Sequence, residues 1–178
     1  MLATLSSHPY WKSLKQYLPE YFSENLFLQG FGLTKVPTLF FLQPRIVEIS
    51  EKNCVMKIPL TWRSKNHLNS MYFGALAAGA DCAGGFMAMN AIIRQKLPMN
   101  MVFKDFNAEF LRRAEGDVYF VCEDGVAVQE LLDKAMETGE RQNMTVTVTA
   151  YVPTDRPQEP VARFELTLSV KQRQKKVA

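Results

Sequence analysis

The sequence predicts an α+β domain in which one long helix lies on one face of an antiparallel sheet, and three observations carry that expectation. Met71 to Ile93 is a run built mostly from Ala, Gly, Met and aromatic residues whose only formal charge is Asp81. Apolar and polar residues alternate on both sides of the run, the period of half-buried strands. The strands fall as two before the helix and four after it, a segregation typical of α+β domains rather than βαβ repeats. With 178 residues, 47% hydrophobic and 22% charged, the chain has material for one domain with a substantial core.

Before the sheet, Trp11, Leu14, Tyr17, Leu18, Tyr21 and Phe22 recur at helical intervals from about Pro9 to Phe27, with Pro19 dividing the run. This reads as an N-terminal helical arm, residues 1–43, packed on the domain. Strands follow at Ile46 to Ser50 and from Asn53 to Leu60, where Cys54, Met56, Ile58 and Leu60 form one face, with Glu51-Lys52-Asn53 as the turn.

The central run then raises the question of a membrane span, since it is long enough for one. An ionised side chain at a bilayer centre is penalised by roughly 2.5–3.5 kcal/mol, and strand-like sequence flanks both ends, so no membrane insertion is expected. Its small residues, Gly74, Ala75, Ala77, Ala78, Gly79, Ala83, Gly84 and Gly85, suit a helix gripped by a curved sheet. Each helical Gly costs about 1 kcal/mol of propensity, which close packing must offset.

Beyond the break at Pro98-Met99-Asn100, Val102 to Leu111 alternates again and Gly116 turns the chain into Val118 to Cys122. Asp124 is placed to cap a second helix, Gly125 to Thr138, whose apolar face is Val128, Leu131, Leu132, Ala135 and Met136 and whose end is marked by Gly139. Met144 to Tyr151 and Val161 to Val170 are the last strands, joined by a polar Pro153 to Pro160 loop. The domain proper is residues 44–171, with 172–178 as a basic flexible tail.

The net charge of +3 is concentrated at that end: the last eight residues hold Lys171, Arg173, Lys175 and Lys176, and the rest has 17 basic against 18 acidic residues. A body without a basic face is not expected to bind nucleic acid. Three scattered cysteines, Cys54, Cys82 and Cys122, offer neither a disulfide framework nor metal spacing. With no basic and apolar leader pattern in the first ten residues, a cytoplasmic location is expected. No metal or other cofactor is expected.

Asn66-His-Leu-Asn-Ser-Met-Tyr-Phe-Gly-Ala-Leu-Ala-Ala-Gly-Ala-Asp81, flanked by strands, resembles the hotdog-fold thioesterases of the phenylacetate-pathway type, and most of all their relatives grouped as a domain of unknown function, DUF4442. The likeness spans roughly Ile46 to Val170. In that family an Asn precedes a Gly-Ser/Thr turn, a small-residue helix start follows, and an acid sits about two turns into the helix. Asn66, Asn69-Ser70, Gly74-Ala75 and Asp81 take those places here. Many active members carry His-Gly-Gly where this chain has Tyr72-Phe73-Gly74, and Asn69 stands where the turn Gly usually does; Asn tolerates the left-handed conformation.

The resemblance implies a hotdog fold, a homodimer with a tetramer as the next assembly, and hydrolysis of an apolar acyl-CoA at a site shared between subunits. Amides at the helix start, Phe73 and Gly74, are the expected oxyanion donors. Asp81, its pKa raised in a low-dielectric cleft, is the expected base, and Asn66 the residue orienting water. Ser70, Tyr72, Phe73 and Met87 are the expected substrate contacts, together with aromatics of the Val102 to Leu111 strand. The alternatives are a non-catalytic protein that binds acyl-CoA or another fatty ligand, which the missing His-Gly-Gly favours, and a dimerisation module with no ligand. Cys82 and His67 are read as a small core residue and a loop residue, and His8 carries no motif.

Overall fold

The computed structural model describes residues 21–153 and 159–173; the expectations for Trp11, Leu14, Tyr17, Leu18 and His8, and for part of the polar loop, lie outside them. Six strands form one antiparallel sheet in the order β1-β2-β4-β5-β6-β3, where β1 is Arg45–Ile49, β2 Cys54–Ile58, β3 Met99–Phe110, β4 Val118–Cys122, β5 Gln142–Tyr151 and β6 Ala162–Gln172. Among the described residues four helices pack with it: α1 (Phe22–Lys35), α2 (Pro37–Leu42), α3 (Phe73–Arg94) and α4 (Gly125–Thr138). The sheet wraps the long helix α3, as the sequence predicts.

Small residues set the depth of that embrace. A Cβ on Gly79 would stand 2.2 Å from the Phe120 ring, and one on Gly84 3.1 Å from Val146. Phe120 and Val146 are fully buried, so neither can yield cheaply. Gly79→Ala is therefore expected to destabilise the fold by about 1–3 kcal/mol despite its better helix propensity; a denaturant titration showing equal or greater stability would contradict this packing. α3 has the length and composition of a membrane span, but its buried positions lie against the protein's own sheet.

Helices α1 and α2 fold back on each other as a hairpin. Gly32 is buried in α1, where a Cβ would meet the Phe40 backbone nitrogen at 2.8 Å, and Pro37 opens α2 with its fixed φ. Asn25 ties this hairpin to the sheet, accepting from the Ile46 amide at 2.7 Å and donating to the Ile46 carbonyl at 3.0 Å. Gln29 donates to Pro44 O at 2.8 Å, and Arg94 pairs with Glu24 at 2.6 Å.

Two local expectations change. Asp124 occupies the N-cap position of α4 without capping it: its carboxylate accepts from the Thr147 amide at 2.7 Å and so joins the helix start to β5. Gly125 meanwhile donates to Lys52 O at 2.9 Å, seating α4 on the β1–β2 turn. The last strand also runs further than Val170, through Gln172, and Arg173 donates from its backbone and side chain to Pro98 O and Met99 O. Gly139 ends α4 with φ 68°, the left-handed stop expected of it.

Candidate active site

The loop before α3 is built to hold the helix start still. Asn66 closes it: its Oδ1 accepts from the Leu68 amide at 2.8 Å and the Ser70 amide at 3.3 Å, and its own amide donates to Ser70 O at 2.8 Å. Ser70 is buried with its hydroxyl against the Asn66 side chain. Asn69 adopts φ 60°, the left-handed conformation that lets Asn stand in for Gly at this turn. Met71 donates to Ala114 O at 2.8 Å and Tyr72 to Ser64 O at 2.7 Å, which locks the entry to α3 onto the neighbouring loops.

Tyr72 is the N-cap with extended backbone and no side-chain cap, and its carbonyl accepts from Ala75 and Leu76. The Phe73 and Gly74 amides are thus left without acceptors among the described residues, pointing out of the positive end of a 22-residue helix. The Tyr72 ring lies over Gly74, close enough that a Cβ there would meet it at 2.5 Å. Tyr72 and Phe73 rings meet at a tilt with centroids 4.7 Å apart, Phe73 meets Phe110 of β3 edge-on at 6.4 Å, and all three rings are about half exposed.

Asp81 is two turns further along α3 and opens on a cavity of about 320 Å³. Its walls are Leu28 and Phe31 of α1, Val36 and Leu39 at the hairpin bend, Gly85, Phe86 and Met89 of α3, and Met101 to Phe103 of β3, with Cys82 beside Asp81. The carboxyl reaches solvent at the mouth, yet the apolar walls displace enough water to push its pKa above the usual carboxylate range. Among the described residues no side chain or backbone group bonds the solvent-reaching Asp81 carboxylate, and none other that lines the cavity is charged. The neighbouring thiols are inert: burial, with nearby carboxylate and thiol charge, pushes Cys82 well up, burial and Cys122 push Cys54 up to about 12, and burial pushes Cys122 to about 11.

Within one chain the expected site residues divide into two groups. Asn66, Ser70, Tyr72, Phe73 and Gly74 gather at the α3 start, and Asp81 stands seven residues on, ~10 Å along the axis. Met87 joins neither. It lines a separate cleft of about 810 Å³ with Glu24, Ser50, Arg94 and Gln129, because six residues of helix rotate it away from Asp81. Gly85 and Met89, at four and eight residues from Asp81, share its side instead, and that spacing is the signal by which they could have been found. No group of three or more potential metal ligands occurs among the described residues.

Comparison with known proteins agrees with this architecture. No curated protein matches the sequence. Among solved structures, a protein of unknown function from Chlorobaculum tepidum superposes with a TM-score of 0.72 at 16% identity, over 84% of this chain and 95% of the other. A Pseudomonas aeruginosa protein of unknown function, described as a probable thioesterase, gives 0.64 at 20% identity over 83% and 95%. A thioesterase from Haemophilus influenzae gives 0.56 at 14% identity over 85% and 92%. At such identities the likeness is one of fold, the hotdog fold. Residues 23–170 match the family described as Domain of unknown function (DUF4442), and the chain belongs to that family.

Proposed function

We propose that the protein is a homodimeric thioesterase that hydrolyses apolar acyl-CoA with Asp81 as general base. The observation that carries this reading is the setting of Asp81: the one charged group among the described residues lining an apolar cavity, reaching solvent at its mouth, with its pKa raised by the surrounding burial. Access to water and a raised pKa suit a carboxylate that draws a proton from water.

The second half of the site comes from a second copy. β3 is an edge strand of 12 residues whose Val102, Phe106 and Phe110 are 54%, 45% and 49% exposed. Lys104, Asp105, Asn107 and Glu109 are exposed between them, so it is the exposed rings of Phe106 and Phe110, rather than the whole edge, that we read as covered by a partner. Phe110 lies against Phe73 at the α3 start, and Val102 borders the Asp81 cavity. A bulge between Phe103 and Phe106 turns Val102 to the other face of the sheet from Phe106 and Phe110, so the proposed contact is the stretch from Phe106 to Phe110 against the same stretch of a second copy. In this reading the contact brings the α3 start of one subunit, with its Phe73 and Gly74 amides, to the Asp81 mouth of the other.

In the assembled site those amides hold the thioester carbonyl oxygen and stabilise the charge it gains. Asp81 takes a proton from a water that attacks the carbonyl carbon. The tetrahedral adduct collapses with loss of the CoA thiolate, and the proton held by Asp81 neutralises it, leaving a carboxylic acid and free thiol. A thiolate, from a thiol of pKa about 8.5, leaves without a strong acid behind it. Asn66 serves by position: its Oδ1 is committed to the loop, so it steadies the helix start rather than orienting water through that oxygen.

That commitment of Asn66, with Tyr72 at the helix start, favours a second reading, a protein that binds acyl-CoA without cleaving it. Free-thiol release from a panel of acyl-CoAs decides between them. Turnover is the expected result; silence across the panel with a thermal upshift on acyl-CoA would establish the binder. Gly74→Val is expected to fold normally, since the exposed Tyr72 ring can swing aside. It should nonetheless lose on the order of a hundredfold in rate as its side chain obstructs the amides; wild-type rates in this variant would remove the helix start from the mechanism.

A further inference from the structure

We infer that the α1–α2 hairpin is a chain-length gauge and that the acyl group it admits is a straight medium-length chain of about eight to ten carbons. The inference rests on the proposed thioesterase reading for the position of the carbonyl, and on the cavity for the rest. With the reacting carbon held at Asp81, an apolar way in for the acyl chain runs past exposed Val36 and Val102 toward buried Leu28, Leu39 and Phe86.

The volume sets the length. A methylene displaces roughly what a water molecule does, ~30 Å³, so a cavity of about 320 Å³ holds roughly ten. Among the described residues no charged group other than Asp81 lines it, so a polar or dicarboxylic acyl group would lose its hydration without replacement. The far wall belongs to the hairpin, and the hairpin is fastened. Asn25 and Gln29 bond it to the β1 segment, and Gly32 lets α2 seat directly on α1. A wall held by these contacts does not retreat before a longer chain.

The test is binding of saturated acyl-CoAs from four to sixteen carbons to the full chain carrying Asp81→Asn, which separates binding from turnover. Affinity is expected to rise about three- to fourfold per methylene while the chain is being buried, then to stop rising near ten carbons. Leu39→Ala should move that break about three carbons longer, by the atoms it removes. Val36→Trp, at the partly exposed rim where a large side chain is accommodated, should move it shorter. A rise continuing unbroken to sixteen carbons, or a break that neither variant moves, overturns the gauge. The two readings fail separately: a clear break with no thiol release by the wild type keeps the gauge and discards the hydrolase, whereas turnover indifferent to chain length does the reverse.

Discussion

Asp81→Asn is expected to lower thioester hydrolysis on the order of 10²–10⁴-fold, the range a positioned general base supplies, while leaving the dimer and the fold intact. The substitution keeps the shape and removes the proton acceptor. It should also stabilise the protein at neutral pH. Burial raises the folded-state pKa of Asp81 above its value in the unfolded chain, so the cost is absent while the carboxyl is protonated and develops as pH rises through the folded pKa. The variant should therefore melt above the wild type at neutral pH, and the difference should vanish in acid, below the ordinary Asp pKa of about 3.9. A variant less stable than the wild type at neutral pH would instead mark Asp81 as a structural acid. The acidic limb of the wild-type rate profile should likewise lie above the usual carboxylate range.

The second large effect is expected from Phe106→Arg. Phe106 lies in the proposed contact between β3 strands, so the substitution puts a charge from each subunit into it, where burying an unpaired charge is costly. The side chain is about half exposed, with its ring against Phe164 at 5.7 Å, so the monomer should keep its fold with a loss of about 1 kcal/mol. Size-exclusion chromatography should then report a monomer, and thiol release should fall as far as in Asp81→Asn. A monomer with wild-type turnover would show that one chain holds the whole site.

These expectations depend on features that differed greatly in how readable they were. Alternation and helical spacing place β4 and α4 at the boundaries observed, and α3 begins and ends within two residues of the expected ones. β3 starts at Met99, three residues before the alternation becomes clear, because the Pro98 break is followed at once by pairing with Gln172. Asp124 looks like a helix cap because its neighbours in sequence say so; its partner is Thr147, which only the sheet brings near.

The site divides along the same line. Asp81 is legible because one charge in a long apolar run is conspicuous, and the Asn66 to Gly74 turn because its residue types are. The cavity is not, since Leu28, Phe31, Val36 and Leu39 come from more than forty residues upstream and no local period announces where the hairpin lands. Met87 is misplaced for a simpler reason, that proximity in a helical sequence differs from proximity on a helical face.

The central claim is that each site takes Asp81 from one subunit and the α3 start from the other. It is tested most directly by mixing two inactive variants, Asp81→Asn and Gly74→Val, under conditions that exchange subunits, and measuring thiol release. A heterodimer of the two has one site built wholly from unaltered residues. Random exchange makes half the dimers of this kind, so the mixture should recover about one quarter of wild-type activity. A mixture that exchanges subunits yet stays as inactive as its parents would contradict the shared site.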